Sequence, residues 1–251
     1  MEKSDIKVSF TILTHNESSE LKAVLTQLAS VKTIWDEIII VDDFSTNPET
    51  ISILEWAKAD DKLHAQVFQQ ALNGDFAAQK NFAAEQCKND YIFNIDSDEL
   101  MDDKLADSFR EIIFINPEVE YFRLPRVNKV EGITMAHVSQ WGWQISQQRS
   151  EIEDLPLTPD SELYKLAKAF NLIILEDKGM VKFYTPIINW PDMQGRIYKK
   201  APHIQWQNKV HEVITGYKKY SNFPADKKFS LLHYKQIAKQ EQQNNFYKTI
   251  Q

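Results

Sequence analysis

Over the first 127 residues, short apolar runs rich in β-forming side chains alternate with stretches of helical spacing. Residues 7–13 predict a strand, and residues 18–29 follow with Leu21, Val24, Leu25 and Leu28 on one helical face. Residues 37–41 form a second buried-strand run. Asn47-Pro48-Glu49 then reads as a helix start, with a capping side chain, Pro at the first helical position and an acid in the first turn. That helix is expected to reach Ala59. Residues 65–68, 91–95 and 120–124 predict three more strands, separated by an Ala-rich helix over 76–87 and a helix opened by Asp102 and Asp103 that stops before Pro117. Strands that alternate with helices imply crossover connections and a largely parallel sheet.

The pattern weakens after Val127. Residues 128–160 mix Gly, Gln, Ser and two Trp without clear periodicity, and 161–170 predict a helix. Strand-like pieces follow at 196–199, 209–214 and 229–234, and a polar tail from Gln236 reads as a surface helix. The expected organisation is an α/β half over residues 1–127 and a more irregular half over 128–251 that completes the same domain.

The chain has 251 residues, of which 43% are apolar and 26% charged, which suits a folded domain with a sizeable core. One cysteine, Cys87, excludes an intrachain disulfide and a cysteine-built zinc cluster. No apolar run approaches the length of a membrane span and no signal-like segment follows Met1, so a cytoplasmic protein is expected. The net charge of −7 is unevenly spread. Residues 1–125 hold 11 basic against 24 acidic side chains, whereas residues 178–251 hold 13 against 4. An acidic half suits a metal site, and a basic third suits an anionic partner, unless both are merely solvated faces.

In open parallel sheets, ligands bind beyond the carboxyl ends of the strands. Thr14, His15, Asn16 and Glu17 follow the first strand; Asp42, Asp43 and Ser45 follow the second; Asp96, Ser97, Asp98 and Glu99 follow the fourth. The first strand-to-helix turn has no glycine, so backbone amides of a Gly-rich loop do not neutralise a bound diphosphate here. A divalent cation could do so, because Asp96-Ser97-Asp98 offers hard oxygen ligands on a strand-end turn and Mg2+ or Mn2+ is typically held by one or two carboxylates plus phosphate oxygens.

Four segments together resemble family 2 glycosyltransferases. Residues 8–17 (VSFTILTHNE) are similar to that family's first strand, and residues 40–46 (IVDDFST) to its V-D-D-x-S-x-D segment, with Asn47 where the last acid often stands. Asn73-Gly74 with Ala78-Gln79-Lys80-Asn81 is similar to its G-x-x-x-A-[KR]-N helix, and residues 91–99 (YIFNIDSDE) to the strand bearing its D-x-D. The similarity extends more loosely to residues 191–198 and 209–212. It implies a GT-A-type, Rossmann-like mixed and mostly parallel sheet flanked by helices, with an irregular acceptor-side second half. It also implies a nucleotide-sugar donor, UDP-linked by expectation, and Mn2+ or Mg2+. By the same carry-over, Asp42 and Asp43 contact the base or ribose, the loop of Thr14, His15 and Asn16 flanks the base, and Lys80 and Arg196 serve the diphosphate. Asp98 binds the metal with Asp96 in its shell or on the ribose, and His233 completes it. Glu212 is the expected base, with Asp192 as its rival.

Other roles remain open for single residues. Asp42 could cap a helix, Lys80 could be solvated, His211 and His233 could be core histidines, and Trp141, Trp143, Trp190 and Trp206 could be packing rather than stacking groups. A haloacid-dehalogenase-type phosphohydrolase also carries D-x-D after a strand, but usually the first strand. A non-catalytic nucleotide-binding module is the remaining alternative, against which the intact acid set argues. For the acceptor, the basic and aromatic last third fits a glycan, a lipid-linked intermediate or a hydroxylated base in DNA. The Lys-, Asn- and Gln-rich, Gly-poor composition resembles that of tailed-phage glycosyltransferases, which implies the DNA option.

Overall fold

A computed structural model describes residues 6–147 and 151–250. In the first half the strands are β1 (Val8–Thr14), β2 (Glu37–Asp42), β3 (Gln66–Gln69), β4 (Tyr91–Asn94), β5 (Glu99–Met101) and β6 (Tyr121–Leu124). The helices between them are α1 (Ser19–Val31), α2 (Pro48–Ala59), α3 (Phe76–Gln86) and α4 (Asp103–Phe114). Local signals explain their starts. The Asn47 side chain accepts from the Glu49 amide, Asp75 from Ala78 and Asp102 from Lys104, each satisfying an amide that the helix leaves unpaired.

In the second half, β7 (Arg126–Glu131) and α5 (Met135–Trp141) lead into β8 (Ile145–Ser146), β9 (Ile152–Pro156) and α6 (Glu162–Ala169). Then come β10 (Ile173–Asp177), β11 (Met180–Tyr184), β12 (Ile187–Ile188), β13 (Gln194–Lys199), β14 (Gln205–Gln207), β15 (Val213–Thr215), β16 (Tyr220–Asn222), β17 (Leu231–Gln236) and α7 (Ile237–Ile250).

The central sheet has the order β16-β6-β13-β4-β1-β2-β3. Its β4-β1-β2-β3 portion is parallel throughout, β6 and β16 are parallel to each other, and β13 runs antiparallel between β4 and β6. This is the mixed, mostly parallel α/β sheet that the alternating pattern predicts. Strand β13 comes from the second half of the chain, so the sheet is completed by residues distant in sequence. On one face, Phe10 and Phe93 of the sheet meet Phe109 of α4 in tilted and edge-on contacts, with ring centroids 5.5–6.2 Å apart. Burial of each such side chain contributes about 1.5–3 kcal/mol. The opposite face packs Tyr198, Trp206 and Ile214 against Ala77 of α3.

Residues 128–160 were expected to be irregular, but they contain β7, α5, β8 and β9. Strand β7 joins a second sheet of order β5-β17-β7-β12-β8, and β9 belongs to a three-stranded sheet with β10 and β11. The missing sequence signal has a physical cause. The three-stranded sheet exposes much of its surface, including Ile152, Leu175 and Met180, so its strands show no clean alternation. The strand expected over 209–214 is also corrected. Residues 209–212 form the connection between β14 and β15, which pair as an antiparallel hairpin.

Candidate active site

The carboxyl ends of β1, β2 and β4 open on one cleft of about 1380 Å³. It is lined on one side by Thr14, His15, Asn16 and Asp43, on its floor by Asp96, Asp98 and Arg196, and on the far side by Lys80, Trp206 and Glu212. Strand geometry accounts for the gathering, because β4, β1 and β2 are parallel neighbours whose last residues stand at one edge.

At the β1–β2 end, His15 Nδ1 donates to the Asp43 carbonyl at 2.7 Å and lies 3.7 Å from the Asp43 carboxylate. Asp43 Oδ1 accepts from the Leu72 amide at 2.9 Å, which fixes the carboxylate at the cleft wall. Asn16 sits at φ +63°, a left-handed backbone that Asn tolerates. Its Oδ1 accepts from the Thr46 and Asn47 amides at 2.8 Å each, stapling the first loop to the second. Asp42 is buried and accepts from the Ser45 amide at 3.0 Å. It shapes the turn and does not line the cleft.

On the floor, Asp96 is gripped by the Arg196 guanidinium, Nη1 to Oδ1 at 3.2 Å and Nη2 to Oδ2 at 2.5 Å. Arg196 also reaches the fully buried Glu99 at 2.6 Å, and Glu99 in turn accepts from Arg126 at 2.9 Å. Burial alone would raise the Asp96 pKa, but the Arg196 and Lys80 charges hold it well below the usual carboxylate range. Sequence reasoning left Arg126 out, because nothing beside Pro125 marks it before the second sheet forms.

Asp98 stands on the turn between β4 and β5. The register of the second sheet places His233 of β17 beside Glu99 of β5 on one side and Asn128 of β7 on the other. His233 Nδ1 donates to Asn128 Oδ1 at 2.8 Å, so Nε2 is the nitrogen aimed at Asp98, 3.5 Å from Oδ2. This arrangement suits ligation, because a second partner sets the tautomer and leaves Nε2 to the cation. Among the described residues no three His, Cys, Asp or Glu converge on one point. Asp98 and His233 therefore fit a cation that takes its remaining ligands from phosphate oxygens and water. His211 also lines the cleft, edge-on to Tyr247 with ring centroids 6.0 Å apart.

Lys80 is not a solvated helix lysine. Its side chain is 7% exposed, its ammonium lies 4.3 Å from the Trp206 ring centroid, and it pairs with Glu212. Trp206 is buried and donates to the Tyr198 hydroxyl at 3.1 Å, which makes it part of the wall's packing. Asp192 is not at the cleft. It follows the cis Trp190–Pro191 bond and accepts from Arg126 at 2.9 Å, Asn128 at 2.6 Å and Gln194 at 2.7 Å. With its oxygens taken by these donors, the rival base is a brace for the loop before β13. The tail read as a surface helix is likewise more than that. Helix α7 has no buried residue, yet Lys239, Gln243, Phe246 and Tyr247 line the cleft from above. A polar roof over a polar cleft leaves no apolar stripe to find in the sequence.

A family model described as "Glycosyl transferase family 2" matches residues 9–162, more than half of the chain. The chain belongs to glycosyl transferase family 2. It is 36% identical over 115 residues to an uncharacterized glycosyltransferase of Rickettsia conorii, covering 46% of this chain and 37% of that one. It is 32% identical over 90 residues to the lipopolysaccharide core biosynthesis glycosyltransferase LpsC of Rhizobium meliloti, covering 36% of this chain and 32% of that one. The matches thus span only about a third of these relatives' length. Among solved structures, it is similar to S. aureus TarS 1–349 in complex with UDP-GlcNAc, with TM-score 0.49 and 17% identity over 86% of this chain and 58% of that one. It is also similar to the mannosyltransferase PcManGT from Pyrobaculum calidifontis in complex with GDP-Man and Mn2+, with TM-score 0.40 and 19% identity over 47% of this chain and 35% of that one. Among the described residues no helix is long and apolar enough to cross a membrane.

Proposed function

We propose that this glycosyltransferase moves a sugar from a nucleotide-sugar donor to an acceptor hydroxyl, with a divalent cation and with inversion. The observation that carries the reading is the meeting of four pairs in one cleft: His15–Asp43, Asp96–Arg196, Asp98–His233 and Lys80–Glu212. The base and ribose lie along His15 and Asp43, and the diphosphate lies over the floor. Asp98 and His233 hold Mn2+ or Mg2+, which when bound supplies positive charge to the departing diphosphate. Arg196 locks Asp96 in place, and Lys80 brings a second cation to the same end.

In the reaction, the acceptor oxygen forms a bond to the anomeric carbon as the bond from that carbon to the diphosphate oxygen breaks. The nucleoside diphosphate leaves with the electron pair, and Glu212 takes the acceptor's proton. Glu212 suits this role because it stands across the cleft from the floor acids, on the connection between β14 and β15, with Lys80 fixing one carboxylate oxygen. The dehalogenase-type alternative gives way, since Asp96 is tied up by Arg196 and follows β4 rather than β1.

A saccharide or lipid-linked saccharide is the acceptor class favoured over DNA. Part of the positive charge of the last third is matched inside the molecule: Lys219 pairs with Glu118, Lys227 with Glu151, and Lys235 with Asp98. The lipopolysaccharide core biosynthesis named for the Rhizobium relative agrees with this class. The test is release of nucleotide from UDP- and GDP-sugars with Mn2+, with and without excess EDTA. Full turnover in EDTA would overturn the metal assignment, and no turnover of any nucleotide sugar would overturn the donor. A salt-sensitive mobility shift with duplex DNA would restore the DNA acceptor.

A further inference from the structure

Helix α7 roofs the cleft without belonging to any of the four pairs above. We infer that Lys239 of α7 is a donor-binding residue that grips the donor's diphosphate, and that in the donor-free protein the cleft's acids hold it in reserve. The inference rests on the nucleotide-sugar reading. Lys239 Nζ stands 3.5 Å from Glu20, 3.7 Å from Asp98 and 4.0 Å from Glu17. These three carboxylates come from α1, the β4–β5 turn and the β1–α1 loop. One ammonium therefore ties the roof to the first loop and to the proposed metal ligand.

Two features separate Lys239 from its neighbour Lys235. Lys235 also lies 3.5 Å from Asp98, but it is only 6% exposed and donates to Gln243 at 2.9 Å, so it is locked in place. Lys239 is 35% exposed and its contacts are long, so its flexible stem is free to turn. The roof does not block the site. With α7 in position the cleft is about 1380 Å³, more than the usual 300–1,000 Å³ of a small-molecule pocket. The roof is also close to the reacting end. Tyr247, one helical face along from Lys239 and Gln243, has its phenol pushed up to about 12 by burial and by the charges of Glu212, Asp96 and Asp98.

The exchange follows from charge. Without a cation at Asp98, ammonium groups neutralise that carboxylate. A divalent cation on Asp98 and His233 cancels the attraction for Lys239, while the diphosphate arriving with it brings new negative charge within reach of the same side chain. Lys239 then turns from carboxylate to phosphate, and Glu17 and Glu20 keep it at the cleft mouth.

Calorimetric titration tests this with Mn2+ alone, and then with UDP and UMP, or GDP and GMP, in saturating Mn2+. Lys239→Gln is expected to bind Mn2+ alone more tightly than wild type, because a competing cation has gone. It is expected to bind the diphosphate about tenfold more weakly or worse, the scale of a charged hydrogen bond, with a smaller loss for the monophosphate. Lys239→Arg should restore most diphosphate affinity. A staple that only holds α7 down would not move the two affinities in opposite directions. Unchanged affinities in Lys239→Gln, a loss of both, or equal losses for diphosphate and monophosphate would overturn the inference and leave the donor reading standing. Wild type that binds neither UDP nor GDP with Mn2+ would overturn both.

Discussion

At the scale of single residues, the two candidate bases part on what surrounds them. Glu212 faces the cleft with Lys80 as its partner, whereas Asp192 is enclosed by Arg126, Asn128 and Gln194. Glu212→Gln keeps size and most hydrogen bonding, so donor binding should persist while transfer falls about 10²-fold or more, as measured by steady-state kinetics beside nucleotide titration. Asp192→Asn should instead lower the denaturant midpoint, because it removes one of the two carboxylate partners of the half-buried Arg126, and should leave any residual activity with an unchanged pH profile. At the proposed metal site, His233→Ala should weaken Mn2+ binding, and Asn128→Ala should do so to a lesser degree, because Asn128 only orients the ring. An Asn128→Ala variant with wild-type Mn2+ affinity would remove that orienting role.

At the scale of elements, the β14–β15 hairpin carries Glu212, and its geometry hangs on a single glycine. Gly216 has φ +87°, and a Cβ there would stand 1.7 Å from the His203 carbonyl oxygen. Both the backbone region and the contact exclude a side chain. Gly216→Ala should therefore destabilise by about 1–3 kcal/mol in chemical denaturation and lower turnover, since the displaced hairpin moves Glu212 away from Lys80. Gly142 is a useful control. It also has a positive φ, +64°, but no atom lies within 4 Å of its Cβ position, so only the backbone term applies there. Equal losses at the two positions would show that close packing at Gly216 contributes nothing.

At the scale of the whole molecule, opposite charges from distant segments meet. The acidic first half and the basic last third, which the sequence shows as separate blocks, interlock through Asp96–Arg196, Glu99–Arg196, Asp98–Lys235 and Glu118–Lys219. Two further acids, Asp192 and Glu151, titrate below their free values. Burial pushes the Asp192 pKa up, but Arg126 with Asn128 and Gln194 holds it below the ordinary range, and hydrogen bonds from Lys129 and Lys227 bring Glu151 down to about 2. A depressed folded-state pKa means that the unfolded chain binds the proton first on acidification. The stabilisation is thus fully present above the unfolded-state value of about 4 and is lost as pH falls through the lower folded-state values. The denaturant midpoint should be level from neutral pH down to about 5 and fall below about 4, with a shallower fall in Asp192→Asn.

The sequence by itself determined the α/β half. Apart from the short β5, which was not expected, the elements from β1 to β6 lie close to their expected bounds, because each expected strand is an apolar run and α2 and α4 carry start signals of their own. The strand-end residues Asp43, Asp96 and Asp98 were legible for the same reason: where a buried strand ends, its following polar residues must stand at the sheet's edge. Tertiary structure alone decided the rest. It brought His233 to Asp98 through the register of the second sheet, set Lys80 against Glu212 by folding the β14–β15 hairpin onto α3, and laid α7 across the cleft. It also withdrew Asp192 and Asp42 from the cleft by surrounding them with donors. Local periodicity reports which side of an element is buried. It carries no information on which distant charge will be buried beside it, and in this protein those long-range pairings build the site.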